Sequence, residues 1–504
     1  MWSSPASKMS ESAAEIPAAE VEKEAPAPAE TSYRIELGFP PDQIPQWRAL
    51  GTVTGTRRRP TPIRILWHDS PDGALARRHL SIEQQDDAWR LIVQSPGKHP
   101  FPPLSPPPVL AEAACCADLG INEQTAPIAS FIGRSRTLMV AHGDEIVAVR
   151  WSQGAVSGVA DQTPAARILL AGPRGALEAM ALALADQGAF VPAASLAAEA
   201  IAVAGQNDPA PRHKGATHVP EGDPVADGLA FAIGQLVDAT LYWAAVIPAA
   251  SDSEPVHQMR VAVRRLRSLL GIPKRQQSGP RLLGLRDTLR DLARDLGDAR
   301  GWDVFLEGVG AAIAAMRPAD RRISALLNRA RKHRDAAYGK LRADLEAPAM
   351  QRIAMELALF ASLRLFAAEG DAALWETETR QFAVEALDRR AHQLFAPGDD
   401  ISALTPHELH EVRKSAKRLR YACELFEDFW GGKAARKYLE RLGDLQEALG
   451  EINDVAALEP QLSSLGTGFA AGFAIGVAAE RARPAQQEVQ AAWRKLASAR
   501  KFWK

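Results

Sequence analysis

A helical motif occurs twice in the C-terminal half of the chain, at one fixed offset. The segment VHQMRVAVRRLRSLL at 256–270 aligns with LHEVRKSAKRLRYAC at 409–423, 153 residues later. The same offset aligns LRDLARDLGDAR at 289–300 with LGDLQEALGEIN at 442–453. Two pairs of helical segments at one offset indicate an internal duplication, which predicts that this half folds into two similar helical units.

Each copy of the motif divides its helix into a basic face and an apolar face. Because a helix turns about 100° per residue, His257 lies at the centre of one face beside Arg260 and Arg264, and the apolar residues lie opposite. The second copy has the same division around His410. The predicted ligand-binding residues are His257, Arg260, Arg264, Arg265 and Arg267 in the first copy and His410, Arg413, Lys414, Lys417, Arg418 and Arg420 in the second.

The first basic face carries positive charge that no neighbouring acid balances. Between Pro255 and Arg286 the chain has eight Lys or Arg and no Asp or Glu. Like charges three or four residues apart on a helix repel by about 0.2–0.5 kcal/mol per pair, and a bound polyanion would remove that repulsion. A solvated face is the usual interpretation of a single charge run. Repetition of the face, histidine included, favours a groove in which guanidinium groups bind phosphate oxygens.

Cations outside the repeated motif are secondary candidates for phosphate contact. They are Lys274, Arg281, Arg331, Lys332, Arg334, Lys433, Arg436 and Lys437. A metal site at the two histidines is disfavoured because arginines surround them, without nearby carboxylate or cysteine ligands. A nucleophilic histidine is disfavoured because no acid or glycine-rich loop lies beside it. The sequence therefore predicts no catalytic residue, no metal site and no cofactor.

Composition and turn residues divide the chain into four parts. Residues 1–30 have few large apolar side chains and a net charge of −4, which is typical of a disordered leader. Residues 31–205 carry strand patterns followed by two short helical ones, and residues 206–224 form a linker of turn residues. Residues 225–500 are helical in period. The expected fold class is α+β with two domains.

The whole chain has a formal net charge of −1, so a strongly positive site must come from arrangement rather than from total charge. Its three cysteines do not form a disulfide framework, and the N-terminus lacks the apolar segment of a signal peptide. A cytoplasmic location is therefore expected.

The segment GTGFAAGFAIGVAA at 466–479 is too short to span a bilayer. Glycine at every fourth position of this segment predicts close backbone packing in the core.

The doubled motif resembles the CHAD domain, the conserved histidine α-helical domain, over about residues 225–500. The pattern H-x-x-R-x-x-x-[KR]-R-[LM]-[KR] occurs at 257–267 and at 410–420. The segments LGDARGWDV and LGEINDVAAL resemble the family's L-G-x-x-[RN]-D segments, except that Gly301 stands where an Asp is usual. The resemblance implies an all-α helical bundle of two duplicated four-helix halves. It also implies a basic surface that binds inorganic polyphosphate, in proteins associated with polyphosphate granules.

Residues 31–205 resemble the CYTH domain, or triphosphate tunnel metalloenzyme, an antiparallel β-barrel-like fold that often precedes CHAD. Of the family's E-x-E-x-K motif only Glu36 is present, because Arg34 and Gly38 occupy the other two positions. Ser81, Glu83 and Gln94 stand where the family has two arginines and a lysine. The enzyme needs carboxylates for a divalent metal and cations for the triphosphate, so a degenerate domain without hydrolysis is expected. Candidates for a residual anion site, as against a solvated barrel surface, are Arg57, Arg58, Arg59, Arg134 and Arg136.

The expected function is non-enzymatic binding of inorganic polyphosphate in the groove, at cytoplasmic granules, with granule proteins as further partners and no membrane contact. The alternative is a metal-dependent triphosphatase or polyphosphatase in the N-terminal domain, which the degraded E-x-E-x-K motif opposes. Nucleic-acid binding is disfavoured, because there is no aromatic stacking set beyond Tyr421 and no strongly basic domain. A scaffold whose N-terminal domain brings a protein partner to the granule is compatible with the expected function. If His257 and His410 are charged when the ligand is bound, affinity should weaken as the pH rises from about 6 to 8.

Overall fold

The structure is a computed structural model. It describes residues 33–54, 59–78, 80–93, 104, 106, 109–112, 125–158, 162–204, 217, 219, 224–274, 277–466 and 468–504. The predicted leader at 1–30 and nearly all of the predicted linker at 206–224 lie outside the described residues, as do Arg57, Arg58 and Gln94.

Nine strands of the described N-terminal half form one antiparallel sheet. They are β1 (Tyr33–Phe39), β2 (Thr52–Thr54), β3 (Thr61–Asp69), β4 (Leu80–Gln85), β5 (Ala88–Val93), β6 (Val109–Glu112), β7 (Ala126–His142), β8 (Glu145–Ser157) and β9 (Gln162–Gly172). The strand order is β1-β9-β8-β7-β3-β4-β5-β6, and β2 pairs with β7. The sheet is curled into a half-barrel, which confirms the predicted class of this domain and is consistent with a CYTH-like barrel.

A helix covers each face of this sheet. Because side chains alternate along a strand, Ile35 and Leu37 pack with α1 (Arg174–Ala185) on one face, and Glu36 lies on the other. The face that carries Glu36 is covered by α2 (Leu196–Val203), whose alanine and isoleucine side chains pack against Trp67 and Phe131. On this face an apolar cluster under α2 therefore lies beside the buried charges of Glu36 and Arg167.

The C-terminal half is all helical. Its helices are α3 (Val225–Val246), α4 (Glu254–Leu269), α5 (Pro280–Phe305), α6 (Ala311–Met316), α7 (Arg321–Glu346), α8 (Pro348–Ser362), α9 (Ala372–Glu376), α10 (Thr379–Leu394), α11 (Pro406–Phe426), α12 (Gly432–Ser463), α13 (Phe469–Arg481) and α14 (Arg483–Ala497). A π-helical turn at Leu306–Gly310 joins α5 to α6.

The predicted duplication is visible in the positions of these helices. The offset of 153 residues that aligns the two motifs places α3, α4 and α5 over α10, α11 and α12, and it places α7 over α13 and α14 together. The last counterpart is split before Pro484, because proline lacks the N–H that would continue the first helix. Each half therefore has four principal helical positions, as predicted.

The basic helices begin at sequence signals that fix their register. At the start of α11, Thr405 and Glu408 form a capping box, in which each side chain satisfies a backbone N–H of the other residue. Proline occupies the first turn of both α4 and α11, where its missing N–H has no intrahelical partner to lose. These signals set which residues of each motif face the core.

Among the described residues, only α3 with the turn that follows it, Val225–Ala249, is long and apolar enough to cross a membrane. Its most apolar window is 61% buried within the protein. Leu229, Ile233 and Val237 lie in the same hydrophobic core as the apolar faces of α4 and α11. This burial is what a central helix of a bundle requires.

The two halves of the chain are joined by packing and by ion pairs. Helix α1 packs against α8. Arg281 pairs with Glu178 at 3.0 Å, and Arg352 pairs with Asp186 at 3.1 Å. The N-terminal domain is therefore seated against the side of the bundle formed by α5 and α8.

The prediction of core packing at the C-terminal glycines is wrong. Gly468, Gly472 and Gly476 are exposed, and a Cβ atom added at any of them would meet no atom within 4 Å. The alanines of α13, among them Ala470 and Ala474, contact the core instead. Glycine does recur every four residues, but α13 has one face of glycines and another of alanines. The sequence does not indicate which of these two faces is buried.

Candidate functional site

Helices α4 and α11 contact each other, with their C-terminal ends adjoining. Their apolar faces are buried, including Met259 and Val263 in α4 and Ala416 and Leu419 in α11. The basic faces are consequently turned away from the core of the bundle, as the angular positions in the sequence predict. The duplication thus brings two equivalent basic faces into one surface.

The centre of that surface is a cluster of four cations, Arg260, Arg264, Arg413 and Lys417, and the name basic groove is used below for these four residues alone. Burial lowers the pKa of Arg260, and the neighbouring Arg264 lowers it further, although an arginine remains protonated at neutral pH. The pKa of Lys417 is lowered to about 7, first by burial and then by Arg264, Arg413 and Arg260. These cations from two helices therefore lie close enough to repel one another strongly.

Few acids compensate this charge. Asp454 of α12 lies 3.7 Å from Arg413, and its carboxylate is largely exposed. Within the described ranges, no carboxylate lies within 4 Å of Arg260, Arg264 or Lys417. Assembling half-buried like charges without partners destabilises the folded state, so the arrangement is one that a bound anion would stabilise.

Two glycines shape the sides of the groove. They are Gly297 of α5 and Gly450 of α12, which occupy equivalent positions of the duplication. A Cβ atom at the first would lie 3.0 Å from Nη1 of Arg260, and one at the second would lie 3.8 Å from Nη2 of Arg413. The absence of a side chain makes room for the guanidinium at Gly297, whereas at Gly450 a Cβ atom would only be in ordinary contact.

The two motif histidines lie at one end of the groove, in different surroundings. His410 donates from Nδ1 to the side-chain oxygen of Asn453, which leaves Nε2 as the nitrogen available to a ligand. The residue equivalent to Asn453 is Arg300, and it faces His257 instead. Burial lowers the pKa of His257, and Arg300 lowers it further, so both disfavour the charged imidazolium in the free protein.

Besides Arg413, three predicted ligand-binding residues are engaged by carboxylates. Glu424 pairs with Arg265 at 3.2 Å and with Arg420 at 2.7 Å, and Glu411 pairs with Lys414 at 2.7 Å. The Arg265 guanidinium also lies 5.9 Å from the ring centroid of Tyr421. The side chain of Glu424 is only 12% exposed, so it fixes the two arginines beside the groove.

The remaining motif cations, Arg267 and Arg418, lie at the opposite end from the histidines. Arg286 and Arg290 of α5 lower the pKa of Arg267, after the larger effect of burial. Sequence analysis did not select these α5 arginines as site residues, nor Asn453 and Asp454 of α12. The signal that could have found the α12 pair is the segment LGEINDVAAL at 449–458, which contains both residues and resembles a family motif.

The secondary candidates do not converge on the groove as one set. Arg281 bridges the two domains through Glu178 and Glu369. Arg331 donates to the side chain of Asn328 at 2.8 Å. Arg334 is paired at 2.6 Å with Asp303. All members of the set except Arg334 are exposed: Lys274, Arg281, Arg331, Lys332, Lys433, Arg436 and Lys437.

Asp303 is a buried carboxylate that holds the first half of the bundle together. It accepts from the Tyr338 hydroxyl at 2.7 Å and also pairs with Arg300 at 3.6 Å. Its removal leaves Arg334 and the hydroxyl without their acceptor, so Asp303→Ala should lower the free energy of unfolding by roughly 3 kcal/mol. Urea denaturation of the intact chain measures this. Asp335→Ala, an exposed carboxylate 3.9 Å from Arg334, is the matched control, and equal losses would contradict a special role for Asp303.

In the N-terminal domain, the surviving motif carboxylate is used structurally. Glu36 pairs with Arg167 at 3.2 Å and accepts from the backbone N–H of Leu196, at the start of α2, at 3.0 Å. Burial raises the pKa of Glu36, and Arg167 opposes that rise. Arg167 also pairs with Glu199 of α2. Glu36 therefore fastens the covering helix to the sheet and is not presented to a metal.

The other motif positions of this domain are engaged by neighbouring side chains and backbone. Glu83 accepts from the indole of Trp67 at 3.1 Å, and burial raises its pKa. The hydroxyl of Ser81 is buried and directed to the backbone of β3. No group of three His, Cys, Asp or Glu suited to a metal occurs in the part of the chain that is described.

The arginines proposed as a residual anion site are not gathered into one place by the described structure. Arg59 is exposed, and Arg134 donates to the carbonyl of Pro60 at 3.1 Å. Arg136 is half-buried opposite Trp151 in the pairing of β7 with β8. Side chains alternate between the two faces of a strand, so Arg134 and Arg136, which are two residues apart, lie on the same face. Their neighbours are nevertheless different.

The profile of the CHAD domain family matches residues 231–463, which run from α3 to the end of α12 and include both basic helices. Two proteins of Mycobacterium tuberculosis, MT2285 and Rv2226, both described as uncharacterized, are each 25% identical over 525 aligned positions, covering 94% of this chain and 98% of theirs.

Two solved structures are similar to the chain. The CHAD domain from the plant Ricinus communis is 26% identical, with a TM-score of 0.44 over 58% of this chain and 98% of that domain. PptA from Streptomyces chartreusis is 20% identical, with a TM-score of 0.40 over 55% of this chain and 99% of its own.

Proposed function

From the premise that residues 231–463 form a CHAD domain, we propose that this protein binds inorganic polyphosphate in the basic groove. The observation that carries the proposal is the convergence of Arg260, Arg264, Arg413 and Lys417 from two duplicated helices, with too few acids to balance them. A polyanion supplies the missing negative charge. Binding removes the mutual repulsion of the cations, which the free protein tolerates only at a cost in stability.

The chemistry of the groove suits phosphate in particular. Arginine presents a planar fork that binds two oxygens of one phosphate, and lysine adds a compact charge. The two motif histidines add a neutral or charged N–H at one end. A ligand whose phosphates repeat along a linear chain can use equivalent groups from both helices at once, as the duplication provides.

Nucleic acid is the competing polyanion. The only tyrosine on the two basic faces, Tyr421, is half-buried, and the Arg265 guanidinium lies 5.9 Å from its ring centroid, so little of the ring is left for a base. Stacking on exposed aromatic rings is a main source of affinity for single strands. Polyphosphate should therefore bind more tightly than DNA of equal charge when the two compete at one salt concentration.

The experiment that tests the proposal is a competition titration of the intact chain with labelled long-chain polyphosphate. Unlabelled polyphosphate and single-stranded DNA, matched in total charge, are the competitors. Displacement by polyphosphate at much lower concentration supports the proposal. Equal displacement would reduce the groove to a general polyanion site, and the absence of binding would refute the proposal.

Location and partners follow from the ligand. A protein that binds polyphosphate without cleaving it would be concentrated on polyphosphate granules in the cytoplasm. The N-terminal domain, seated on the bundle through Arg281 and Arg352, would then be carried to the granule with it. Such a domain suits a scaffold for granule proteins, and its own partner would be a protein rather than a phosphate.

We expect no metal-dependent hydrolysis by the N-terminal domain. Glu36 and Glu83 are held by Arg167 and Trp67, and α2 covers the face on which they lie. Release of phosphate from tripolyphosphate or long-chain polyphosphate, with Mg²⁺ or Mn²⁺, should stay at the rate without protein. Metal-dependent release that disappears in Glu36→Gln would establish the triphosphatase alternative.

A further inference from the structure

We propose that the ligand site continues beyond the two repeated helices into a second cluster of cations, which makes the protein selective for long polyphosphate chains. The second cluster is Arg267, Arg286, Arg390 and Arg418, one residue from each of α4, α5, α10 and α11. This inference rests on the proposed function, because it extends the same groove. Neither Arg286 nor Arg390 belongs to the repeated motif.

The members of the second cluster are close to one another. Arg286, Arg264 and Arg418 all lie near enough to Arg267 to disfavour its charge. Arg418 and Arg286 likewise lie near enough to Arg390 to disfavour its charge. Across the described ranges, none of the four has a carboxylate within 4 Å, although Arg290 nearby is balanced by Asp287 at 2.8 Å.

Arg390 anchors this cluster to the basic helix. Its side chain donates from Nη2 to the carbonyl of Gly271 at 2.7 Å and to that of Ser268 at 3.4 Å, where α4 ends. Only 6% of Arg390 is exposed. The C-terminal carbonyls of a helix carry partial negative charge, so they hold this guanidinium in place, but they do not neutralise Arg267, Arg286 or Arg418.

The two clusters form one continuous track. Arg264 is near both Lys417 of the basic groove and Arg267 of the second cluster. From His257 to Arg267 the axis of α4 advances by about 15 Å. A short oligophosphate fits within the basic groove alone, whereas a long chain reaches both clusters in a single binding event and releases more counterions.

The test uses two ligands of the same chemistry and different length, tripolyphosphate and long-chain polyphosphate. The variant Arg286→Glu lowers the net charge by two at a member of the second cluster that lies outside the repeated motif, and it leaves the basic groove intact. The matched control is Arg294→Gln/Lys340→Gln, which also lowers the net charge by two but at exposed ion pairs with Asp291 and with Asp295 and Asp344. Circular dichroism checks that each variant is folded, and equilibrium titration of the intact chain gives the affinities.

We expect the affinity for long-chain polyphosphate to fall at least tenfold in Arg286→Glu, with less than a twofold change for tripolyphosphate. The control should bind both ligands as the parent does. Equal losses for the two ligands, or a variant that matches the control, would overturn the second cluster while leaving the proposed function standing. A parent protein that binds neither ligand would overturn both.

Discussion

Polyphosphate affinity should fall at least 100-fold when the charges of Arg260 and Arg264 are reversed together in Arg260→Glu/Arg264→Glu. Each arginine contributes a charge-assisted hydrogen bond worth about 1.5–3 kcal/mol, and the new carboxylates add repulsion against the phosphates. The equivalent change in the second helix, Arg413→Glu/Lys417→Glu, should have a similar effect, because both helices form the same groove. Equilibrium titration at one fixed salt concentration measures both variants.

A control with the same change in net charge separates a local groove from general electrostatics. Arg331→Glu/Lys332→Glu reverses two exposed cations of α7 that lie outside the repeated motif. We expect this control to bind within about threefold of the parent, since exposed charges at a distance are screened by salt. Equal weakening in all three variants would mean that the two basic helices have no special role.

Replacing Lys417 by methionine should stabilise the protein and weaken its binding. The pKa of Lys417 is about 7 in the folded chain and 10.5 as an ordinary lysine, so folding favours the neutral amine. The resulting loss of stability is complete below about pH 7 and disappears as the pH rises through 10.5. With allowance for partial solvent access, Lys417→Met should raise the free energy of unfolding by roughly 2 kcal/mol at pH 7.

The same lysine links binding to pH. A bound polyanion raises the pKa of Lys417, so the protein takes up a proton on binding when the pH is above about 7. Affinity should therefore fall between pH 7 and 9 in the parent and change less in Lys417→Met. Titration calorimetry in buffers of different ionisation enthalpy counts the proton directly.

An exposed lysine of α12 provides the control for this prediction, in the variant Lys437→Met. We expect that control to have the stability and pH dependence of the parent. A Lys417→Met protein that is less stable than the parent at pH 7 would show that the buried charge of Lys417 does not destabilise the folded state. An unchanged pH dependence would show that it does not carry the proton.

Sequence periodicity was sufficient to predict which faces of α4 and α11 are apolar and which are basic. The spacing of His257, Arg260 and Arg264 fixes which residues share a helix face, and the offset of 153 residues indicates that a second face of the same kind exists. The structure adds that α4 and α11 are neighbours. It also supplies the lowered pKa values of Lys417 and His257, which depend on cations of other helices.

Partners from distant parts of the chain could not be predicted in this way. Glu424 of α11 holds Arg265 of α4 as well as Arg420 of its own helix. Residue spacing alone does not distinguish such a paired arginine from an unpaired one. Arg390 reaches the end of α4 from 119 residues away. Such pairings are set by the packing angles of the helices, which one sequence does not specify.

In the N-terminal domain the sequence predicted the strands and the loss of motif residues, and the half-barrel confirms the first of these. The use of Glu36 as an anchor for α2 was not foreseen, because the partner Arg167 lies 131 positions later on β9. The reason is physical: a carboxylate buried by a covering helix must find a partner or lose its charge.

The most direct test of polyphosphate binding is the affinity of the intact chain for long-chain polyphosphate across a range of salt concentrations. If several phosphates contact the groove, the logarithm of the association constant falls linearly with the logarithm of salt, by about 0.7 for each phosphate neutralised. We expect a slope of about −3 or steeper, because the four cations of the basic groove would each neutralise one phosphate. A flat dependence, or no measurable binding at low salt, would contradict the account.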